Sequence, residues 1–352
     1  MSLRIGYSIF LGVFYIVLMI IAIPGNTLIL WMTFSNKQLR TPTNLLVSNL
    51  AIGGLVIAIF AIPFRIWSSF NFSSYPFSLA TCRFEKMIPL SSIMAITCTL
   101  CIICVDRFIA VVYPVKHHLK MTALKAYILI PTIWIVSIAS FIPYATFNIL
   151  YNYFGTIFCI PYWPDNRAVD IVLSRNATTG EPTSYLEFSR VMYWIFIVVF
   201  LFYIPAIMMT FLYSITVLKV RSTIQPSYGS FKMVSSDSNK AKVKQRKRVI
   251  NIMIACCSLF VFTGLPYYTL NMLLDLRVIT LQSDVRFVVF RTLAAFLFTS
   301  IAYNAIIYGY FNTTYRKYTP LWLKHIGSVL TFKRSTTITN LSTTTQQEQI
   351  HS

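Results

Sequence analysis

The segment Leu100-Cys101-Ile102-Ile103-Cys104-Val105-Asp106-Arg107-Phe108 places a carboxylate and a guanidinium side by side at the end of a long apolar stretch. Almost nothing else charged lies inside the apolar stretches of this chain. A charge in the hydrocarbon of a bilayer costs about 2.5–3.5 kcal/mol on insertion scales, so such charges are usually paired or functional. The segment therefore predicts a membrane-spanning helix with a functional ion pair near one end.

The composition of the whole chain agrees with a membrane protein. The 352 residues are 56% hydrophobic and 16% aromatic, only 11% are charged, and the mean hydropathy is +0.66. A soluble domain averages about 25% charged residues. This chain cannot cover a water-facing surface, so its solvent is largely lipid.

Seven segments are apolar and long enough to span the hydrocarbon core, which takes about 20 helical residues. They cover about 7–34, 44–70, 84–112, 126–147, 191–218, 249–274 and 287–310. The connections after the first, second, third and sixth segments are short, so those helices are expected to be antiparallel neighbours. The sequence predicts an all-α membrane protein, a seven-helix bundle within a domain that covers residues 1–320.

The distribution of lysine and arginine predicts the orientation of the bundle. One side collects 20 of the 30 basic residues against three acids, a formal charge of +17, and the other side carries +3. Basic residues concentrate on the cytoplasmic side, so the amino-terminus is expected outside and the +17 face against the anionic lipids of the inner leaflet. This asymmetry explains the net charge of +20 and argues against a nucleic-acid partner.

Two of the seven cysteines lie on the outer side of the predicted bundle. Cys82 heads the third span and Cys159 lies in the long outer loop, and because the outside is oxidising we predict a disulfide between them. Asn176 in the same loop is a predicted glycosylation site, and Asn71, close to the membrane, is a second one. The cysteines inside spans are expected to be packing residues rather than metal ligands; they are Cys98, Cys101, Cys104, Cys256 and Cys257. No cofactor is expected.

The inner loops and the tail offer surfaces for cytoplasmic partners. The basic run Lys240-Ala241-Lys242-Val243-Lys244-Gln245-Arg246-Lys247-Arg248 is expected to extend the sixth span as a helix. Most of its charges should snorkel along the lipid, and a few, Arg248 among them, should contact a partner. Residues 327–352, rich in serine and threonine, are expected to form a disordered tail.

These features together resemble the rhodopsin-like (class A) family of G-protein-coupled receptors over about residues 7–320. Family motifs follow one another in order along the spans: Gly25-Asn26, Leu50-Ala51, Asp106-Arg107-Phe108, Trp134, Pro205, Tyr213, Phe260, Pro266 and Asn304-Ala305-Ile306-Ile307-Tyr308. Tyr315-Arg316-Lys317-Tyr318 resembles the start of the family's amphipathic eighth helix, expected over about 312–326 on the inner leaflet.

The resemblance implies roles for several of these residues. In the family, the carboxylate that matches Asp106 holds the arginine in the resting state, and activation frees Arg107 toward a heterotrimeric G protein. Phe108 would belong to the same contact, and Tyr213 and Tyr308 would move in to steady the arginine. The implied activation core comprises Asn26, Phe260, Gly264, Pro266 and Asn304. The serine- and threonine-rich tail would be a site for arrestin.

Several positions depart from the family pattern. Gly54 stands in place of the aspartate of the second span and Ile96 in place of a polar residue of the third, which should abolish the family's buried sodium site. Gly264 replaces the tryptophan of the sixth span and should make that helix unusually deformable. Ala305 replaces the proline of the seventh span and should straighten it. Arg246 replaces an acid that would restrain the arginine of the third span. We therefore expect a loosened resting state with some basal activity.

Residues in the outer halves of the spans and in the outer loop restrict the classes of ligand that the protein can bind. The seventh span, Phe287–Tyr310, has no lysine, which a retinal Schiff base needs. Pro89 stands where the amine receptors of the family carry an aspartate. Cys159-Ile160-Pro161-Tyr162-Trp163-Pro164 resembles a loop of several neuropeptide receptors, in which a β-hairpin would leave the bundle mouth open for a peptide. Trp163 is interpreted either as part of that mouth or as an interfacial anchor.

Candidate polar residues at the rim of the ligand pocket are Arg65, Glu85, Asn271, Asp275, Asp284 and Arg291. Arg65 and Arg291 could meet a peptide carboxylate or an acidic lipid. Arg291 could equally extend to the outer headgroups.

Other classes of protein remain alternatives at this point. A transporter or channel predicts internal repeats and broken helices in both halves, and no repeat is evident. A membrane enzyme needs catalytic groups at membrane depth, but the four histidines are all on the cytoplasmic side; they are His117, His118, His325 and His351. A receptor-like protein that does not couple to a G protein, or a receptor for an acidic lipid or other small molecule, is compatible with the departures above.

Overall fold

The computed structural model describes residues 2–71, 74–163, 171–175, 182–186, 188–224, 237–276, 278–279, 282–311 and 313–318. The α-helices within these ranges are α1 Ser2–Ser35, α2 Pro42–Phe60, α3 Ile62–Phe70, α4 Leu79–Val112, α5 Ala123–Thr146, α6 Phe188–Val198, α7 Ile204–Ile224, α8 Asp237–Asp275, α9 Ser283–Phe298, α10 Ser300–Ile306 and α11 Thr313–Tyr318. The strands are β1 Asn148–Tyr153, β2 Thr156–Pro161, β3 Ile171–Arg175 and β4 Pro182–Leu186. Short 3₁₀ turns cover Lys37–Leu39 and His117–Leu119.

Seven apolar helical spans confirm the predicted bundle. In chain order they are Arg4–Ser35, Pro42–Phe70, Leu79–Val112, Ala123–Thr146, Phe188–Val220, Ile254–Leu274 and Asp284–Gly309. Their starts differ from the predicted ones where a cap extends the helix. The third span begins five residues early because the Ser78 hydroxyl accepts a hydrogen bond from the Thr81 amide, and Thr122 caps the fourth span through the amide of Lys125. The expected helical extension of the sixth span is present, since α8 begins at Asp237.

Two spans are irregular beside a proline. The second span consists of α2 and α3 joined at Ala61, because Pro63 has no amide hydrogen and its ring crowds the carbonyl of Ile59. The fifth span widens into a π-helical turn, Val199–Tyr203, immediately before Pro205. Such a turn inserts one residue into the helix, and here it directs Phe202 toward the sixth span, 5.5 Å from the ring of Phe260.

The seventh span is not the straightened helix expected from the absence of a proline. Ala305 does lie in the regular helix α10. However, the span breaks at Thr299, whose hydroxyl donates to the carbonyl of Phe296 at 2.6 Å, and it widens into a π-helical turn over Ile307–Phe311. A threonine hydroxyl that bonds to its own helix competes with the backbone ladder, so the break at Thr299 arises from a side chain that the motif comparison did not consider.

The outward faces of the spans are apolar. Several large side chains on four different spans are 63–69% exposed, among them Phe10 of α1, Leu124 of α5, Ile207 and Phe211 of α7, and Phe262 of α8. A soluble monomer rarely exposes so much contiguous apolar surface, whereas lipid covers it at no cost. The bundle end that holds Asp106 and Arg107 is called the inner end below, and the end that holds the strands is called the outer end.

The first and seventh spans close the bundle by contacts along their whole length. From the amino-terminus onward the pairs are Arg4 with Asp284, Tyr7 with Val288, Asn26 with Ile301, and Thr33 with Tyr315 of α11. The side-chain amide of Asn26 donates both to the carbonyl of Ala22 in its own helix at 2.8 Å and to that of Ile301 at 2.9 Å. Closure therefore uses polar bonds between residues near opposite ends of the sequence.

A short helix follows the seventh span where an eighth helix was predicted. It covers Thr313–Tyr318, and Tyr315 is fully buried with its hydroxyl 2.9 Å from that of Thr33. The remainder of the predicted eighth helix, 319–326, and the predicted tail, 327–352, lie outside the described residues.

Two β-hairpins lie at the outer end. Strands β1 and β2 pair antiparallel with Leu150 opposite Cys159, which matches the hairpin expected around Cys159. The turn residues Phe154 and Gly155 have φ values of 45° and 82°, as a tight two-residue hairpin turn requires. The second hairpin, β3 with β4, was not predicted. The predicted glycosylation site Asn176 falls between these strands, outside the described residues.

Candidate functional site

The ion pair at the inner end forms a closed three-residue arrangement. The Arg107 guanidinium donates to Asp106 Oδ2 at 2.6 Å through Nη2 and at 3.2 Å through Nε. The same Nη2 also donates to the hydroxyl of Thr43, and that hydroxyl donates to Asp106 Oδ2 at 3.2 Å. Asp106 is 8% exposed and Arg107 is 26% exposed. Both charges are therefore largely removed from solvent and satisfied by each other and by Thr43.

Thr43 was not found from the sequence. It lies in the first turn of α2, and its role depends on the rotation of the second span against the third. A motif on the third span alone carries no signal for it. Asp106, Arg107 and Thr43 are called the inner latch below.

Two predicted signalling tyrosines meet in the core above the inner latch. Tyr213 is 6% exposed and Tyr308 is 2% exposed. They lie within electrostatic range of each other and beside the thiol of Cys257, and Tyr308 is also within range of Arg107. The structure thus brings together the tyrosines of the fifth and seventh spans. Phe108 instead contacts the Tyr113 ring at 5.9 Å, and the side chain of Arg248 lies outside the described part of the chain.

The centre of the bundle holds Asn26 where the family would place a carboxylate. A Cβ atom built on Gly54 would lie 2.9 Å from the amide nitrogen of Asn26, and one built on Gly53 would lie 2.7 Å from Ile96. The Asn26 side chain therefore fills the space beside Gly54, and Ile96 fills the space beside Gly53. The Asn304 side-chain oxygen is buried nearby on the seventh span, with no hydrogen-bond partner among the described residues.

Phe202 fills the space beside Gly264 in the sixth span. A Cβ atom on Gly264 would lie 2.5 Å from the Phe202 ring. That ring is fully buried and also packs on Phe260 at 5.5 Å and on Tyr268 at 5.1 Å. Pro266 lies inside the same helix. Phe202 of the fifth span thus occupies the space near Pro266 that a tryptophan at position 264 of the sixth span would need.

A buried polar chain joins the second, third and fourth spans. The Trp134 indole donates to Asn49 Oδ1 at 2.8 Å, and the Asn49 amide donates to the Thr99 hydroxyl at 2.8 Å. Each bond crosses a helix interface, and bonds of this kind in a membrane are worth about 0.6–2 kcal/mol. Trp134 was identified by motif, whereas Asn49 and Thr99 were missed because nothing in the sequence marks them.

The disulfide between Cys82 and Cys159 fixes the first hairpin to the third span, as predicted, with 5.8 Å between the Cα atoms. The Arg83 side chain donates to the Asn148 carbonyl at 3.3 Å. Trp163, just after the hairpin, is 6% exposed and packs against Phe147 and Tyr193 with ring centroids 4.6 and 5.2 Å away. The structure gives Trp163 a packing contact with the outer end of the fifth span.

The structure places only some of the predicted polar residues together at the outer end. Arg65, Glu85 and Arg291 lie on the second, third and seventh spans, all partly buried. Asn271, on the sixth, donates back to the Tyr267 carbonyl at 3.1 Å. Asp284 pairs with Arg4 instead, and the side chain of Asp275 lies outside the described part of the chain.

Tyr75, in the outer connection before the third span, lies beside Glu85. Burial raises the pKa of the Tyr75 hydroxyl, and the neighbouring Glu85 carboxylate raises it further. The phenol therefore stays neutral at physiological pH. Asn71, the second predicted glycosylation site, is exposed and donates its side-chain amide to the Trp67 carbonyl at 3.2 Å.

The seven spans and the inner ion pair define a class of membrane receptor. The family described as 7 transmembrane receptor (rhodopsin family) matches residues 25–308, and the chain belongs to that family, which consists of signalling receptors rather than enzymes.

Three similar proteins are themselves receptors. The Substance-K receptor of Bos taurus is 24% identical over 308 residues, which cover 86% of this chain and 72% of that receptor. The RYamide receptor of Drosophila melanogaster is 24% identical over 313 residues, 88% of this chain and 62% of that receptor. The Neuropeptide FF receptor 1 of Rattus norvegicus is 24% identical over 317 residues, 86% of this chain and 67% of that receptor.

Proposed function

We propose that the chain is a cell-surface receptor that senses an extracellular peptide between the outer ends of its spans and signals to a heterotrimeric G protein at its inner end. Family membership supports the signalling role. The names of the Substance-K, RYamide and Neuropeptide FF receptors support a peptide ligand, and the disulfide-fixed hairpin beside the bundle mouth agrees with it. A receptor for an acidic lipid or a protein that does not couple is not favoured by these relatives.

The inner latch is the observation that carries the signalling proposal. Asp106 and Thr43 together hold the Arg107 guanidinium against the second and third spans. Release of these bonds frees an arginine, whose planar fork of donors suits carbonyl and carboxylate groups of a partner. The G-protein surface thus includes Arg107, Phe108 and Arg248, with Tyr213 and Tyr308 in the core behind it.

Substitution in the inner latch tests this proposal without a ligand. Asp106→Asn removes the charge that restrains Arg107, so basal nucleotide turnover by added G protein should rise about two- to tenfold, the equivalent of one charged hydrogen bond or less. Arg107→Ala should abolish turnover. Arg286→Ala, an exposed arginine at the outer end, serves as the matched control and should change nothing. Turnover that stays at the level of mock membranes for wild type and Asp106→Asn across all G-protein classes would show a protein that does not couple.

Thr43→Val tests whether the second span takes part in the latch. The valine has the same shape but neither accepts from Arg107 nor donates to Asp106, so basal turnover should rise about two- to fivefold. Thr132→Val is the control, because that hydroxyl bonds only to its own helix on an exposed face, at 2.9 Å from the Ile128 carbonyl. Equal turnover for both variants would remove Thr43 from the mechanism.

The proposal includes the orientation and the remaining partners. The amino-terminus lies outside, the +17 face contacts inner-leaflet lipids, the tail recruits arrestin, and Asn176 carries a glycan, with Asn71 a second acceptor. An epitope tag before residue 1 should be accessible on intact cells, and a tag after residue 352 only after permeabilisation. The reverse pattern of labelling would overturn the orientation.

A further inference from the structure

Three cationic side chains form one cluster at the outer end of the bundle. They are Arg65 of the second span, Lys86 of the third and Arg291 of the seventh. The Arg291 guanidinium donates to the carbonyl of Ser68 at 3.5 Å, one turn along α3 from Arg65. Lys86 experiences the positive charge of both arginines, and the two arginines repel each other. The three cations therefore lie near one another although each comes from a different span.

The cluster has fewer acidic partners than charges. Glu85 is the acid that contacts it among the described residues, and its carboxylate binds Lys86 at 3.0 Å. Glu85 is only 12% exposed, with Tyr75 beside it. Asp284, on the same span as Arg291, is committed to Arg4. The three cations thus keep a formal excess of two positive charges over Glu85.

Both guanidinium groups rest on weak partners. Arg65 lies over the ring of Phe298 at 5.7 Å, and Arg291 lies over the ring of Phe287 at 4.4 Å. A ring face gives an exposed cation about 0.5–1 kcal/mol, whereas charged side chains in such surroundings usually find a counter-charge. Mutual repulsion inside the cluster adds to the cost. An anion bound between these cations relieves both penalties at once.

The geometry points to a carboxylate-binding site formed by Arg65, Lys86 and Arg291, so that the ligand presents a free carboxyl group at this depth. This inference deepens the proposed function and rests on the outer end being the ligand site. A guanidinium group can bind a carboxylate through two parallel N–H···O bonds, one to each oxygen, which is the strong form of charged hydrogen bond, and a cation on a neighbouring span can donate to the lone pairs that remain. Glu85 holds Lys86 in place and, by its own charge, limits the strength of the site.

A small dicarboxylate tests the site without knowledge of the ligand. Purified full-length receptor is heated with glutarate, with glutaramide, which has the same shape but no charge, or with inorganic phosphate, all at equal ionic strength. A ligand that binds only the folded state raises the melting temperature. Glutarate near saturation should raise it by about 2–4 °C, and glutaramide should not. A larger shift with phosphate than with glutarate would show that the site prefers a phosphate group to a carboxylate. Equal shifts with glutarate and glutaramide would show that no carboxylate site exists.

Variants assign the effect to the cluster. Arg65→Gln, Lys86→Gln and Arg291→Gln should each weaken glutarate binding by at least about tenfold, while Glu85→Gln should strengthen it because one competing charge is gone. Arg286→Gln is the matched control, an exposed arginine on the same helix as Arg291. A glutarate shift that survives in both arginine variants, or that falls in Glu85→Gln, contradicts the site. These measurements need no G protein, so their failure is separate from a failure of signalling.

Discussion

Phe202 limits the size of the side chain that the sixth span can have at position 264. Its ring is enclosed by Phe260 and Tyr268 and leaves no space for a side chain on Gly264. The glycine was expected to make the helix deformable, and the structure adds a steric reason for it. Phe202 and Gly264 are therefore complementary in size: the large ring of the fifth span fits only because residue 264 of the sixth span has no side chain.

Gly264→Ala should destabilise the receptor through this contact. The added Cβ atom would lie 2.5 Å from the Phe202 ring, and overpacking of a filled core costs about 1–3 kcal/mol. The melting temperature should fall, and Phe202→Leu in the same chain should recover most of the loss, as coupled neighbours do.

Gly6→Ala provides the control for that comparison. No atom lies within 4 Å of a Cβ built on Gly6, so this substitution should be neutral or slightly stabilising through helix propensity. Additive losses in Gly264→Ala with Phe202→Leu would show that the two residues do not form a pair.

Individual site residues were predictable to different degrees. Asp106 and Arg107 could be found from the sequence because a charge at membrane depth is costly wherever it lies. Thr43 and Phe202 could not, since their contacts depend on how two spans rotate against each other. For Phe202 that rotation is set by the π-helical turn before Pro205. This turn adds one residue to the helix, and a hydropathy profile does not detect such an insertion.

The first hairpin is the element that shapes the bundle mouth. Besides the disulfide to the third span, the amide of Tyr75 donates to the Ile157 carbonyl at 2.7 Å, and the amide of Ile157 donates to the Ser74 hydroxyl at 2.7 Å. The hairpin is therefore tied both to the third span and to the connection that precedes it. The resemblance of the segment from Cys159 to Pro164 to a loop of neuropeptide receptors predicted the hairpin, but only the pairing register shows which side of it the connection meets.

Removal of the disulfide should loosen this element. Cys82 and Cys159 are 77 residues apart, and a crosslink over a loop of that length stabilises by about 4.5 kcal/mol in the chain-entropy view. Cys82→Ser with Cys159→Ser should therefore lower the melting temperature by several degrees and abolish the glutarate shift as the mouth opens. Cys98→Ser, which changes a free cysteine in the third span, is the control. An unchanged melting temperature in the double variant would show that the backbone bonds alone hold the hairpin.

Span boundaries were largely predictable, because hydropathy over about 20 residues reports burial in lipid directly. The remaining differences have local causes. Caps at Ser78 and Thr122 extend two helices, and the hydroxyl of Thr299 interrupts a third. A hydroxyl that caps one helix and breaks another has the same hydropathy in both places, so the sequence does not separate the two cases.

The packing inside the bundle predicts that the stability of the receptor does not depend on sodium. Asn26 and Ile96 occupy the space around Gly54 and Gly53, and a hard cation needs several oxygen ligands, usually with a carboxylate among them. The melting temperature should therefore be equal in sodium chloride and choline chloride of the same concentration. Gly54→Asp should lower stability by displacing Asn26, without a gain in sodium dependence. A rise specific to sodium in wild type would place an ion site elsewhere in the bundle.

The contacts that close the bundle also determine when it can be completed during synthesis. Asn26 and Ile301 are 275 positions apart, which corresponds to about 15–55 s of translation. Until the seventh span enters the membrane, the Asn26 amide has only the Ala22 carbonyl of its own helix to bond. A nascent or truncated receptor that lacks this last span therefore leaves one side-chain N–H of Asn26 without its native acceptor, the carbonyl of Ile301.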